Sequence, residues 1–421
     1  MQIPSSTPRT GSTVDRRQFL SAATVAASAG ALATWNVESA LGFAANDTLN
    51  VACIGTGGRC RRLMQSLREL PGVRLAAVCD IYEGNLAAGA KLADEKAIQS
   101  RKFLELLDRK DIDAVLIGSP DHWHVPMTVA ACQAGKDVYV EKPLTHNLSE
   151  GRAVIDAQNK NKRIVQIGTQ QRSMPQIQKA KEIIESGGIG KVHKVHLTWN
   201  RNAPRFRKPA TTVDPKQVDW KAFLGNAPDQ PFDDYRLRQW RWFWDFGGGI
   251  LTDLMVHHID IVHWIMGVDH PEVATAIGDH YNSAGLWETP DTIQCLLRYK
   301  NDFQAYFEGT FVNARNGEMI EFMGTDATLY VDRGGMIVTP ERKKKVQPQE
   351  MILGTGPRGA DFYDKPDGET LHLANWVDCI RSRNAPNAPA EAGVSAASAA
   401  HLGNIAYRSG KVAKWDDIMP V

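Results

Sequence analysis

The turn Gly55-Thr-Gly57-Gly-Arg-Cys60, placed between a short apolar run and a helical stretch, leaves this chain few folds to adopt. Leu49 to Ile54 is apolar with a β-branched bias, the pattern of a parallel strand covered on both faces. Gly55 permits a sharp turn, and Gly57 permits the backbone to approach a pyrophosphate seated on the N-terminus of the next helix. The spacing predicts that helix from Arg59 to Leu70, stopped by Pro71-Gly72. Arg59, Arg61 and Arg62 crowd its first turn, where the macrodipole disfavours positive charge, and a bound anion would remove the conflict. A second strand, Arg74 to Cys79, ends at Asp80, which is placed to accept hydrogen bonds from the adenine ribose. Asp80 would repel a 2′-phosphate, and Ile81-Tyr82 supplies no arginine, so NAD is favoured over NADP. Gly55, Thr56, Gly57, Gly58, Arg59 and Asp80 are therefore the first cofactor-binding candidates. Cys60 stands where a third glycine would sit, which puts in question how closely helix and strand pack. A turn of this kind can also serve the backbone alone, with no ligand.

Alternation of helices and strands continues beyond Asp80. Phe103 to Leu107 and Val125 to Ala134 read as helices, and Asn147-Leu-Ser-Glu150 is a capping box ahead of another ending near Lys160. Strands are expected at Ala114 to Gly118, Asp137 to Val140 and Arg163 to Ile167. The result is a doubly wound parallel sheet whose ligand crevice lies at the strand C-termini. Three segments fall there: Ser119-Pro-Asp-His-Trp-His124, Glu141-Lys-Pro143 and Gly168-Thr-Gln-Gln-Arg172. They add Ser119, Pro120, His122, His124, Glu141, Lys142, Gln170 and Arg172 to the cofactor candidates. Pro143 biases Lys142 toward an extended backbone, so its ammonium should project into the crevice and stabilise a developing alkoxide. The alternative is a surface lysine beside a turn.

The second half reads as α+β. Ile177 to Glu185 is a helix ending at Gly187-Gly188, and Val195, Leu197 and Trp199 alternate along a strand. Further strands are expected near Glu272 to Ile277, Thr292 to Tyr299, Phe303 to Thr310, Met319 to Phe322 and Thr328 to Val331, paired antiparallel. Trp199, Trp220, Trp240, Trp242 and Trp244 could pack on the C–H faces of a sugar, although core or subunit-interface packing is the better account of most of them. Trp199 and Arg201 are candidate substrate contacts. Gly247-Gly-Gly249 opens a helix from Leu251 to Met266, on which Asp253, His257 and Asp260 share a face while His258 is rotated away. Asp253 could orient His257 as a general base for a substrate hydroxyl. A helix-surface ion pair is the bland reading, and a metal held by His122, His124, Asp253 and His257 is a rival that demands convergence of distant segments. Our expectation is no metal.

The glycine turn, Asp80, Ser-Pro-Asp-His-Trp-His, Glu141-Lys142-Pro143 and Gly247-Gly-Gly-Ile-Leu-Thr-Asp253-x-x-x-His257-x-x-Asp260 together resemble the Gfo/Idh/MocA family of glucose-fructose oxidoreductase, inositol dehydrogenase and rhizopine catabolism. The resemblance runs from about Leu49 to Trp415. It implies catalytic roles for Lys142, Asp253 and His257, substrate contacts from the same three residues, and a second domain with an open, mostly antiparallel sheet. The expected division is 1–45 leader, 46–170 Rossmann domain and 171–421 substrate and oligomerisation domain, with the C-terminal helices Leu371 to Arg381 and Val394 to Tyr407 packing back.

Composition narrows the partners. The 421 residues carry a formal net charge of +1, which gives no argument for nucleic acid. Arg342-Lys-Lys-Lys345 reads as a solvated loop, and six cysteines show no Cys-x-x-Cys spacing. Cys53 and Cys79 fall on core strands as small hydrophobes. Asp15-Arg-Arg-Gln-Phe-Leu-Ser21, the mild apolar stretch Ala22 to Ala33 and small residues near Ala44 resemble a twin-arginine export signal, too short and weak for a mature membrane span. The chain is thus expected to be an exported, periplasmic, homo-oligomeric NAD-dependent dehydrogenase of a sugar, glycoside or cyclitol hydroxyl. Two other outcomes stay open: an NAD-dependent glycosidase with no net redox change, and a non-catalytic nucleotide-holding protein.

Overall fold

The computed structural model describes residues 48–202, 211–353 and 368–419. The leader, with its twin arginines Arg16 and Arg17, lies outside the described residues.

Six short strands form the first sheet: β1 (Leu49–Ile54), β2 (Val73–Cys79), β3 (Ile98–Ser100), β4 (Ala114–Ile117), β5 (Asp137–Val140) and β6 (Val165–Ile167). Their order is β3-β2-β1-β4-β5-β6, and every pairing is parallel. That is the doubly wound dinucleotide order, which reverses at β1 and β4 and opens a crevice at their C-terminal ends. β4 is apolar throughout, and β1 and β5 are apolar apart from Asn50 and Asp137, because helices cover both faces. The helix α1 (Gly58–Arg68) follows the glycine turn directly. Cys60 in the third glycine's place is accommodated by its neighbour: a Cβ on Gly118 would lie 2.8 Å from the Cys60 Cβ. The glycine that close packing needs is supplied by the end of β4. Asn147 and Glu150 form the expected capping box.

The second sheet has nine strands in the order β14-β13-β12-β11-β7-β10-β9-β8-β15. They are β7 (Val192–Asn200), β8 (Val273–Asp279), β9 (Thr292–Arg298), β10 (Gln304–Thr310), β11 (Glu318–Gly324), β12 (Ala327–Val331), β13 (Gly335–Pro340), β14 (Gln349–Ile352) and β15 (Ala413–Lys414). Pairing is antiparallel except between β7 and β10. One face carries the alternate buried residues of β9, β10 and β12 and packs on α2 (Val256–Met266) and α4 (Ala390–Ser409). The helix α2 is buried on nearly every side, its polar residues His257, His258, Asp260 and His263 included, since it lies between the sheet and the rest of the molecule.

The C-terminal helices close the body, each on a different core. The helix α3 (Gly368–Ser382) places Leu373, Trp376 and Val377 against β1, β2 and α1, whereas α4 packs on α2 and β8.

Candidate active site

A cavity of about 780 Å³ lies at the C-terminal edge of β1, β2 and β4. Gly55, Gly57, Gly58, Arg59, Asp80, Ser119 and Pro120 line it on one side, and residues between Asp219 and Arg241 on the other. Gly55 has φ +75°, and a Cβ there would come within 2.6 Å of the Ser119 amide, so only glycine lets β1 and β4 close over the turn. A Cβ on Gly58 would meet nothing within 4 Å, and one on Gly57 only Asn85 at 3.9 Å. The first amides of α1 thus face open space, as a pyrophosphate requires. Asp80 is buried, accepts from the Tyr82 amide at 2.9 Å and lies 3.5 Å from the Thr56 hydroxyl. Burial pushes its carboxyl up to about 6, against the pull of Tyr82, Asn85 and Thr56. A ribose diol would add the donors that a buried carboxylate needs, so these residues fit a dinucleotide.

The arginines of α1 resolve their conflict with the dipole through protein carboxylates. Arg59 donates to Glu141 at 2.8 Å and also pairs with Glu369 of α3, and Arg62 lies 3.3 Å from Glu369. Arg61 donates to the Thr56 carbonyl at 2.7 Å. The anion expected at this turn is therefore supplied in part by Glu369, which lies 310 positions from Arg59. No local pattern could reveal it.

Beside the cavity, Lys142 and Asp253 meet from the two halves of the molecule. The Lys142 ammonium donates to the Asp253 carboxylate at 2.9 Å and to its carbonyl at 2.7 Å. Arg241, in the aromatic segment, donates to the same carboxylate oxygen at 3.1 Å. This corrects the expected pairing of Asp253 with His257. Leu251–Met255 is a π-helical turn, and its wider spacing shifts Asp253 off the register on which that pairing rests. His257 instead stacks on Trp199, with ring centroids 5.3 Å apart, and its Nδ1 is buried without a hydrogen-bond partner among the described residues. Burial first, then the charges of Lys142 and Arg333, hold its imidazole well below the usual histidine range. These influences keep the imidazole in the neutral form that a general base requires, and limit its basicity. His258 turns to Glu318, 3.5 Å away.

Other candidates lie elsewhere. Arg172 makes a bidentate pair with the fully buried Asp260, at 2.8 Å to each oxygen, and neither Arg172 nor Gln170 lines the cavity. This corrects their assignment to the cofactor and separates Asp260 from Asp253 and His257. The ring nitrogens of His124 are taken by the Pro143 and Ser119 carbonyls, so it ties the Glu-Lys-Pro turn to the end of β4. His122 bonds the Phe223 carbonyl at 2.8 Å, and burial lowers it to about 4. Among the described residues no group of three or more His, Cys, Asp or Glu side chains is arranged to hold a metal ion. Trp242 stacks on Trp287 at 4.3 Å in the core and Trp220 on Phe223 at 4.8 Å, whereas Trp240 lines the cavity. Asp121 went unassigned in the sequence; it is buried beside Lys142 and Arg241, and burial raises its carboxyl well above the usual range.

A parallel sheet of this order, a glycine turn open to a cavity and a buried acid at the end of β2 define a dinucleotide-dependent enzyme class. The chain belongs to the Gfo/Idh/MocA oxidoreductase family: residues 49–169 match its NAD-binding Rossmann fold and residues 181–414 its C-terminal alpha/beta domain. It is 27% identical over 359 residues to inositol 2-dehydrogenase 2 of Saccharopolyspora erythraea, covering 84% of this chain and 91% of that one. With myo-inositol 2-dehydrogenase of Thermotoga maritima it shares 26% identity, covering 68% of this chain and 75% of the relative. Levoglucosan dehydrogenase, solved with NADH and levoglucosan, has the same fold at a TM-score of 0.68 and 19% identity, over 87% of this chain and 99% of that one.

Proposed function

We propose that this oxidoreductase oxidises a secondary hydroxyl of a sugar, glycoside or cyclitol beside Lys142 and His257. NAD, when bound, supplies the acceptor for the hydride that leaves the substrate carbon. Gly55 to Arg59 and Asp80, with Ser119 and Pro120, hold the nucleotide against the first sheet. His257, neutral and buried, takes the hydroxyl proton. Lys142 steadies the developing alkoxide, and Asp253 with Arg241 fixes the ammonium in place. One observation carries this reading: the Lys142 ammonium from the end of β5 is bonded to Asp253, on the turn that runs directly into the helix carrying His257.

The test is to incubate the full chain with NAD and a panel of sugars and cyclitols while following nicotinamide absorbance. Net NADH with a keto product is expected. An aglycone released without NADH would establish the glycosidase reading instead, and turnover unchanged in Lys142→Met would overturn the assigned chemistry.

We propose also that residues 46–170 and 171–421 act as nucleotide and substrate halves, and that the chain is exported to the periplasm by the twin-arginine route. Arg16-Arg17 and the apolar stretch after them support export, which Arg16→Lys/Arg17→Lys should abolish in a fractionation assay. Among the described residues no helix is long and apolar enough to cross a membrane. Exposed Ile277 and Leu296 on the open sheet support assembly into a homo-oligomer, which sedimentation would measure.

A further inference from the structure

The segment 218–246 comes from the second half of the chain and is stitched to the first sheet beyond the ends of three strands. After β2, Tyr82 and Val218 form an antiparallel bridge, and the Asp219 amide donates to the Ile81 carbonyl at 3.0 Å. After β4, the Trp123 indole and the His122 imidazole both donate to the Phe223 carbonyl, at 2.9 and 2.8 Å. After β5, His146 donates to the Trp244 carbonyl at 3.0 Å. Arg241 then reaches Asp253 at 3.1 Å, beside Lys142.

These stitches hold a packed body and not a loose loop. Phe223, Leu224, Phe243 and Phe246 form a small buried core of their own, with Trp220 stacked on Phe223 at 4.8 Å and Phe223 edge-on to Phe246 at 4.9 Å. Its contact with the β4 end is close: Gly225 has φ +57°, and a Cβ there would come within 2.7 Å of the Trp123 ring. Asp219, Ala222 and Phe223 line the nucleotide cavity near one end of the segment and Leu237 to Arg241 near the other, and Gly57, Gly58 and Asp80 line the same cavity from the first sheet. A ligand that fills the cavity therefore lies between the first sheet and this segment. A body with its own core opens as a unit and not residue by residue.

We propose that residues 218–246 form a strap that gates the nucleotide, so that NAD enters and leaves only when the stitches at Ile81 and Phe223 open together. The proposal rests on the nucleotide site described above and is independent of the proton and hydride steps.

The test follows NADH fluorescence on the full chain by stopped flow. His122→Phe/Trp123→Phe removes both donors to the Phe223 carbonyl and keeps aromatic rings in place. One barrier governs entry and exit, so both rates should rise roughly 10- to 100-fold, the worth of two hydrogen bonds, while the dissociation constant moves far less. Damage to the pocket alone would speed release and not entry. Tyr82→Cys/Val218→Cys gives the converse, because opposed residues of an antiparallel bridge lie within disulfide reach and the six native cysteines are buried. Oxidised after loading with NADH, that variant should retain the nucleotide, and a reductant should free it. Unchanged rates in His122→Phe/Trp123→Phe, faster release with entry unchanged, or free exchange in the oxidised cysteine pair overturns the strap. A parent chain that binds no NADH overturns the nucleotide site with it. Gating as expected, with no sugar or cyclitol oxidised, upholds the strap and fails the dehydrogenase reading alone.

Discussion

Two ion pairs tie the segment 251–266 to residues that follow strands of the first sheet, Lys142 after β5 and Arg172 after β6, and they do different work. Lys142–Asp253 is 10% exposed on each side, shares its carboxylate with Arg241 and sits beside His257 at the edge of the crevice. Arg172–Asp260 is bidentate, 7% and 0% exposed, and lies away from the cavity. Sequence spacing ranks the two aspartates together, on one helical face. Solvent access separates them: a charge meant for a substrate must be reachable, whereas a charge that only fixes two elements is best enclosed and fully hydrogen-bonded.

Breaking the enclosed pair gives the largest expected effect. Arg172→Met leaves Asp260 as an uncompensated buried charge and should cost about 3–5 kcal/mol of stability, read from denaturant melts. The double variant Arg172→Met/Asp260→Leu should recover most of that loss, because packed apolar groups can replace a buried pair. Recovery absent in the double variant would mean that the arginine acts through something other than Asp260.

Lys142→Met should show the opposite pattern. A fall in kcat of roughly 10²–10³-fold is expected, the scale of losing one preorganised electrostatic donor, with a smaller loss of stability than in Arg172→Met because Arg241 still pairs with Asp253. If Lys142→Met unfolds the protein as readily as Arg172→Met, the contrast between the two pairs fails.

pH separates the two sides of the crevice further. Burial raises Asp80 to about 6, and ribose donors favour its ionised form, so nucleotide binding draws the proton off. NAD affinity should therefore fall as pH drops through about 6 and level off above it, and Asp80→Asn should remove that step. His257 is shifted the other way, well below the ordinary imidazole value. At saturating NAD, kcat should accordingly hold level as pH falls through that ordinary value. An acid limb at the usual histidine position would show that His257 is charged in the working enzyme.

Much of this was legible in the sequence, and the misses share a cause. β1, β4 and β5 and the turn between β1 and α1 follow from apolar runs punctuated by glycine, which are local signals. The places of Asp80 and Lys142 at the crevice are legible too, because each follows the C-terminal end of a strand in the first sheet. The partner of Asp253 was misread because a π-helical turn obeys no 3.6-residue rule, and Leu-Thr-Asp-Leu-Met carries no mark of it. β13, β14 and β15 went unseen, since short edge strands have weak alternation, and Arg333, which faces Trp199, comes from the turn that leads into β13. Glu369 was beyond reach altogether.

That last carboxylate carries the smallest of the expected effects. Glu369 of α3 reaches Arg59 and the Ser66 hydroxyl, so the C-terminal helix grips the first turn of the nucleotide helix. Glu369→Gln keeps the shape, removes the charge and leaves Arg59 with Glu141 alone. Arg59 is 25% exposed and can recruit water, so the loss in stability should be about 1 kcal/mol, well below that of Arg172→Met. The informative reading is the nucleotide. With one of its two carboxylates gone, Arg59 is freer to face a pyrophosphate, and NAD should bind slightly tighter in Glu369→Gln than in the parent chain. Weaker binding would mean instead that Arg59 must be pinned by both acids for the glycine turn to keep its shape, placing Glu369 among the residues that position the cofactor.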